Sequence, residues 1–256
     1  MKDAVQAAGG DIGAETGAAA LRVDLAAAFR LTARFGWHES VGNHFSAAAS
    51  EDGRRFLMNP KWRHFASVRA SDLLLLDAGD PGVMDGPDAP DASAWTIHGA
   101  LHRARPDVRV VLHCHPPHAT ALAALKDPAL PPIDMNTARF HGDLAIDREC
   151  GGIADDAREG ERIAAALGGC STLLMANHGL TCTGATVAQA FEQLYFFEKA
   201  AQTVLLALAS GRSLAVMPDD VAQRTAEGWR AYAGMADAHF AHLKSVLDRE
   251  EPDYRD

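Results

Sequence analysis

Apolar side chains first settle into a helical rhythm at Leu21, Leu25, Phe29, Thr32 and Phe35, spaced by three and four, and Gly36 stands where that helix should end. Short β-type runs follow at Arg55-Phe56-Leu57-Met58 and at Leu73-Leu74-Leu75-Leu76, the second introduced by Ser71-Asp72. Residues 77–92 hold Gly79, Pro81, Gly82, Gly86, Pro87 and Pro90, a composition that predicts a loop. Helices are predicted over about 93–105, closed by Pro106, over 116–126, and over 155–168, stopped by Gly168-Gly169. The β-branched run from Val108 to His113 reads as a buried strand, and Thr172 to Ala176 as another. Two helical stretches finish the chain, 186–210 and 219–248; the second repeats Trp229, Tyr232, Met235, His239, Leu243 and Val246 at helical spacing. Strands interleaved with helices give the α/β class. Residues 1–17, glycine-rich and poor in large apolar groups, read as a flexible lead-in to a single domain over 18–256.

Charge narrows the function. With 24 Lys plus Arg against 34 Asp plus Glu the formal charge is −10, which opposes capture of nucleic acid or an anionic membrane. No run approaches the ~18 apolar residues of a transmembrane helix, and Asp3, Asp11 and Glu15 interrupt what would otherwise resemble a signal sequence. Cys114, Cys150, Cys170 and Cys182 form no CxxC pair and read as reduced thiols. The expectation is a cytoplasmic protein acting on a small molecule, without nucleic-acid or membrane partners.

Histidine carries the chemistry, with 12 along the chain. In a strand of period two, His113 and His115 share one face and Cys114 points away. Two imidazoles at the mouth of a buried strand can supply adjacent metal ligands. His178, in Asn177-His178-Gly179 at the end of another strand, can be turned towards them by the freedom of Gly179. Three neutral imidazoles with an open position suit a catalytic divalent ion. Taken alone, the HxH pair is a weak signal and fits two surface or hydrogen-bonded histidines near a strand end better.

The segments "ARPDVRVVLHCHPPHATALAAL" (104–125) and "LLMANHGL" (173–180) resemble the class II aldolase/adducin family. So do "GNHFS" (42–46), "SDLLLLD" (71–77), "WTIHGALHRARPDV" (95–108) and "AFEQLYFFEKAAQTVLLAL" (190–208), in the same order. The resemblance runs from about residue 20 to 215. It implies a three-layer α/β/α fold with a central mixed, mostly antiparallel sheet. It also implies one divalent metal ion per subunit (Zn²⁺, Mn²⁺ or Fe²⁺) on His113, His115 and His178. A homo-oligomer, a tetramer with sites near subunit interfaces, is implied as well.

The departures matter as much. The acidic residue that moves the proton in the family's sugar-phosphate aldolases is replaced by Ala94, and of their paired phosphate-binding serines only Ser93 remains. The loop "NPKWRH" (59–64) brings Lys61, Arg63 and His64 instead, groups suited to a carboxylate or phenolate. These departures resemble branches that decarboxylate hydroxy- or oxo-acids, and above all the non-haem iron oxygenases and decarboxylase-like members of aminocoumarin synthesis. The resemblance therefore implies a metal-dependent lyase that cleaves a C–C bond, by decarboxylation or retro-aldol chemistry. Its substrate would be a non-phosphorylated hydroxy- or oxo-acid, aromatic ones included. Alternatives are a non-haem iron oxygenase acting on a hydroxyphenyl acid, and a non-catalytic adducin-like scaffold. His44, His64 and His118 are the candidates for proton transfer; Asn43, Lys61, Ser93 and Arg139 are the candidates for substrate binding. His98 is expected to order the fold, and a structural role fits His118 as well.

Overall fold

In the computed structural model, which describes residues 3–86, 89–149, 151–152, 156–232 and 234–256, the chain opens with helix α1 (Asp3–Arg34) and a β-meander. The meander comprises β1 (His44–Ala48), β2 (Arg55–Met58) and β3 (Leu74–Asp77). Helix α2 (Ala92–Ala104) leads into β4 (Val110–Cys114), and α3 (Pro117–Ala123), α4 (Met135–Ala138) and β5 (Leu144–Asp147) follow. Then come α5 (Ala157–Leu167), β6 (Thr172–Met175), β7 (Leu180–Gly184), α6 (Val187–Ala209), α7 (Asp219–Ala231) and α8 (Met235–Glu250). The seven strands form one sheet in the order β3-β2-β1-β4-β7-β6-β5. Only the β5–β6 pair is parallel, so the sheet is mixed and mostly antiparallel.

Strand alternation sorts the core into two layers. Phe45, Ala47, Val110, Leu112, Cys114, Leu174, Leu180 and Cys182 face a cluster built with α1, α3, α6 and α8. The intervening Val111, Leu173 and Met175 face a second cluster with Ile97 and Leu101 of α2 and Ile163 and Leu167 of α5. Helices thus cover both faces, as the α/β/α reading expected. Phe29 of α1 stacks on Phe45 with ring centroids 4.8 Å apart and meets Phe65 edge-on at 4.6 Å. Each such buried ring stabilises by about 2 kcal/mol. Helices α2 and α5 approach closely because Gly160 has no side chain: a Cβ there would lie 2.6 Å from the Thr96 carbonyl oxygen.

Several elements depart from the sequence reading. Helix α1 is drawn back to Asp3, so residues 3–17 are helical backbone where a lead-in was expected. The stretch 219–248 is two helices, parted at Gly234, whose φ of 85° no helix continues through. Strands β1, β5 and β7 were not expected. Their sequences, HFSAA, LAID and LTCTG, carry too few large apolar residues to announce a strand. Among the described residues no helix is long and apolar enough to cross a membrane. Cys114, Cys170 and Cys182 are free thiols; Cys150 lies outside the described residues.

Candidate metal centre

The site forms where three adjacent strands end together. In the sheet register His44 of β1 lies opposite His113 of β4, and His113 lies opposite Thr181 of β7. The three side chains therefore form a row on the α2 face. His115 follows two residues beyond His113 on the same face, with ring centroids 5.2 Å apart. The tight turn between β6 and β7 supplies His178. Its backbone is fixed by bonds from Asn177 N to Ala123 O (3.0 Å), His178 N to Met175 O (3.1 Å) and Met175 N to Gly179 O (2.9 Å). Gly179 is required here for space: a Cβ would strike the His115 ring and lie 2.8 Å from the Cys114 carbonyl oxygen.

One ligand atom from each of His113, His115 and His178 lies within 4.8 Å of the others. Hydrogen bonding shows which nitrogens are free. The Thr181 hydroxyl donates to the Met175 sulfur (3.6 Å), so its oxygen accepts from His113 Nδ1–H at 3.1 Å. His115 Nδ1–H donates to the Glu39 carboxylate at 2.6 Å. Both rings thereby keep a bare Nε2, and that of His115 is buried without any partner. A ring held through one nitrogen with the other bare is the arrangement of a metal-ligating histidine. Burial, and then the neighbouring imidazoles, push the His113 pKa well below the ordinary value, and burial brings His178 to about 4. Both are neutral at pH 7, the form that binds a cation. An orphaned buried nitrogen beside two neutral imidazoles fits a divalent ion.

A cavity of about 250 Å³ opens over these histidines. Of the candidates, Asn43, His44, Lys61 and Ser93 line it, and so does Ala94, 1% exposed, where an aldolase acid was missed. Asp91 also lines it, the sole carboxylate residue among the described ones that do. Sequence reasoning passed over Asp91, although its signal, an Asp just ahead of a helix, was present. It caps α2, accepting from Ser93 N (3.0 Å) and Ser93 Oγ (2.5 Å). Burial works to raise its pKa, but the two Ser93 bonds and His44 outweigh that and leave it low, so the carboxylate is ionised at pH 7.

His44 stacks on His113, centroids 4.8 Å apart, and its Nδ1 meets His98 Nε2 at 2.8 Å. His98 Nδ1 meets Ser46 Oγ at 2.6 Å, and Ser46 Oγ meets His102 Nε2 at 2.8 Å. Burial brings His44 to about 3, opposed by Asp91, and His102 to about 4, opposed by hydrogen bonding to the Val108 backbone.

The remaining candidates stand elsewhere. His118 is held by the buried Glu198 carboxylate, which accepts from its Nδ1 at 2.6 Å and from its backbone N at 3.0 Å, a structural arrangement at the start of α3. His64 caps a 3-10 turn and faces His38 across 3.0 Å. Arg63 pairs with Asp72 at 3.0 Å. Arg139 lies in a different cavity of about 360 Å³, paired with buried Glu192 at 3.1 Å and set against the Phe196 and Trp229 rings. Glu39 and Thr181, which orient the ligands, were invisible to sequence reasoning: one is 76 residues from its histidine, the other 68.

Residues 23–205 match the family model described as Class II Aldolase and Adducin N-terminal domain. A putative aldolase class 2 protein of Caulobacter vibrioides is 33% identical over 92% of this chain and 91% of its own length. Two Streptomyces proteins are 29% identical. One, from Streptomyces roseochromogenus, is named 4-hydroxy-3-prenylphenylpyruvate oxygenase/4-hydroxy-3-prenylbenzoate synthase, with 84% of this chain and 80% of that protein covered. The other is the Decarboxylase NovR of Streptomyces niveus, with 88% and 86% covered. The crystal structure of an aldolase II superfamily protein from Pseudomonas syringae superposes with a TM-score of 0.83 at 33% identity, over 93% of this chain and 96% of that one.

Proposed function

The chain belongs to the class II aldolase and adducin family, and from that premise we propose that it is a metal-dependent lyase breaking a C–C bond in a non-phosphorylated hydroxy- or oxo-acid. The observation that carries this reading is the convergence of His113, His115 and His178 with bare ring nitrogens on a cavity whose Ala94 wall offers no acid. Decarboxylation of an acid whose lost carboxyl stands β to an oxo group, and retro-aldol cleavage of a β-hydroxy-oxo-acid, both leave the bonding electron pair on a carbon next to a substrate carbonyl. Bound by the three histidines, a divalent ion supplies Lewis acidity towards that carbonyl oxygen. Lys61 makes no ion pair among the described residues, so its ammonium is free to meet the substrate carboxylate. His44, the one histidine besides the ligands that lines the cavity, returns a proton to the carbon that loses its bond. Asp91 works against the burial that holds the His44 ring neutral. The single ammonium of Lys61, with Arg63 tied to Asp72, suits a carboxylate better than a phosphate dianion.

The test is release of CO₂ from oxo-acids whose lost carboxyl stands β to the oxo group, or of aldehyde from 4-hydroxy-2-oxo-acids, by metal-loaded protein under anaerobic conditions. Turnover that survives without O₂ and is lost in His113→Ala is expected. Activity unchanged by His113→Ala would sink the lyase. Strict dependence on O₂ with bound Fe²⁺ would favour the second reading, an oxygenase, for which the name of the Streptomyces roseochromogenus relative speaks.

A further inference from the structure

Four non-glycine residues among those described have a left-handed backbone: Ser40 (φ 50°), Asn43 (55°), Trp62 (64°) and Asn177 (56°). All four belong to the metal site. Asn177 precedes the ligand His178, Ser40 follows the His115 clamp Glu39, and Asn43 and Trp62 line the cavity. Asparagine tolerates this region, and Asn43 gains a bond there, its Oδ1 accepting from Glu39 N at 2.9 Å. Trp62 has no such compensation. A bulky side chain at positive φ is an outlier, and strain of this kind persists at ligand clamps. The indole recovers little by packing: it is 66% exposed and no ring of the described residues stacks on it. A large aromatic group is therefore held, at a conformational cost, against the mouth of the cavity and beside the unpaired Lys61.

Resting on the reading above, we infer that Trp62 is the specificity-determining residue of this site, a platform on which the planar ring of an aromatic oxo- or hydroxy-acid stacks while Lys61 pairs with its carboxylate. The 250 Å³ of the cavity accommodates a ring, since about 150 Å³ is enough for benzene.

Phenylpyruvate and 4-methyl-2-oxopentanoate, which share the oxo-acid head and differ in the ring, are the probes, measured by calorimetric titration of Zn²⁺-loaded protein. Trp62→Gly should weaken phenylpyruvate by about 3- to 10-fold and leave the aliphatic acid within about 2-fold. Trp62→Phe should restore most of the difference. Trp62→Gly should also raise Tm by about 2 °C, because glycine adopts the left-handed conformation without strain. Equal weakening of both acids, no weakening of either, no binding of phenylpyruvate, or a fall in Tm would overturn the inference. Zinc content of the same samples separates the two readings. Loaded protein without ring discrimination overturns the role of Trp62 alone. Protein that takes up no zinc overturns the proposed function, and ring discrimination is then read on metal-free protein.

Discussion

Two trios of histidine meet at the end of the sheet, and their partners set them apart. His113, His115 and His178 turn their rings to a common point. The first two are anchored through Nδ1 by a hydroxyl and a carboxylate that leave Nε2 bare. His44, His98 and His102 instead join one another through Ser46 in a continuous column of bonds 2.6–2.8 Å long. The trios touch where His44 stacks on His113. Residue type is the same in both, but the second trio is wholly buried while His115 and His178 are only half-buried, and only in the second do the rings bond to one another and to a shared hydroxyl. His98, engaged through both nitrogens, orders the fold, whereas a ring with a bare nitrogen facing its neighbours' rings is ready for a cation.

The largest break in this comparison comes from His178→Ala, which leaves two ligands and should abolish stoichiometric metal uptake, read by equilibrium dialysis with Zn²⁺. Loss of metal from His98→Leu as well would merge the trios.

Acid acts on the other trio. Unfolded imidazoles take up protons near 6.5, whereas burial holds His102 to about 4 and His44 to about 3. Between these values the unfolded chain binds more protons, so stability is full above pH 6.5 and declines as the pH falls towards 4. Between pH 7 and 4.5 the metal-free protein should lose about 4 kcal/mol from these two groups. Urea unfolding at both pH values measures it, and a stability that stays flat would contradict the burial of neutral rings.

Next in size, His98→Leu strands the His44 Nδ1 in the interior and removes one of the two bonds of the Ser46 hydroxyl. It should cost about 3 kcal/mol in urea unfolding while metal content stays at wild-type level. Smallest is Glu39→Gln, which weakens the anchor of His115 at an exposed carboxylate. It should lower Zn²⁺ affinity by about 10- to 100-fold and leave the unfolding midpoint in place.

Long periodic elements were legible in the sequence, as was the pairing of His113 and His115, because their signals are local. Period two put His113 and His115 on one face and Cys114 on the other, and the core confirms that division. What escaped was set by pairing across the chain. Strand β1 has only Phe45 as a large apolar residue and becomes central by pairing with β2 and β4. The column from His44 to His102 exists because β1 lies under α2, which no spacing in either segment states. Arg139 was read as a substrate group in a loop that reaches across subunits; within the chain it pairs with Glu192 on α6, a partner 53 residues away that no local signal announces. Nothing in the loop 59–64 singles out Trp62, because its left-handed backbone is set by the fold.

The central claim is that the first trio holds a metal. Elemental analysis of protein purified anaerobically, beside the variant carrying His113→Ala, His115→Ala and His178→Ala, tests it most directly. Expected is about one divalent ion per chain in the wild type, as a catalytic three-histidine site holds, and none in the variant. Absence of metal from both, or equal metal in both, would contradict it; a metal-free wild type would leave the fold as a scaffold without the chemistry proposed for it.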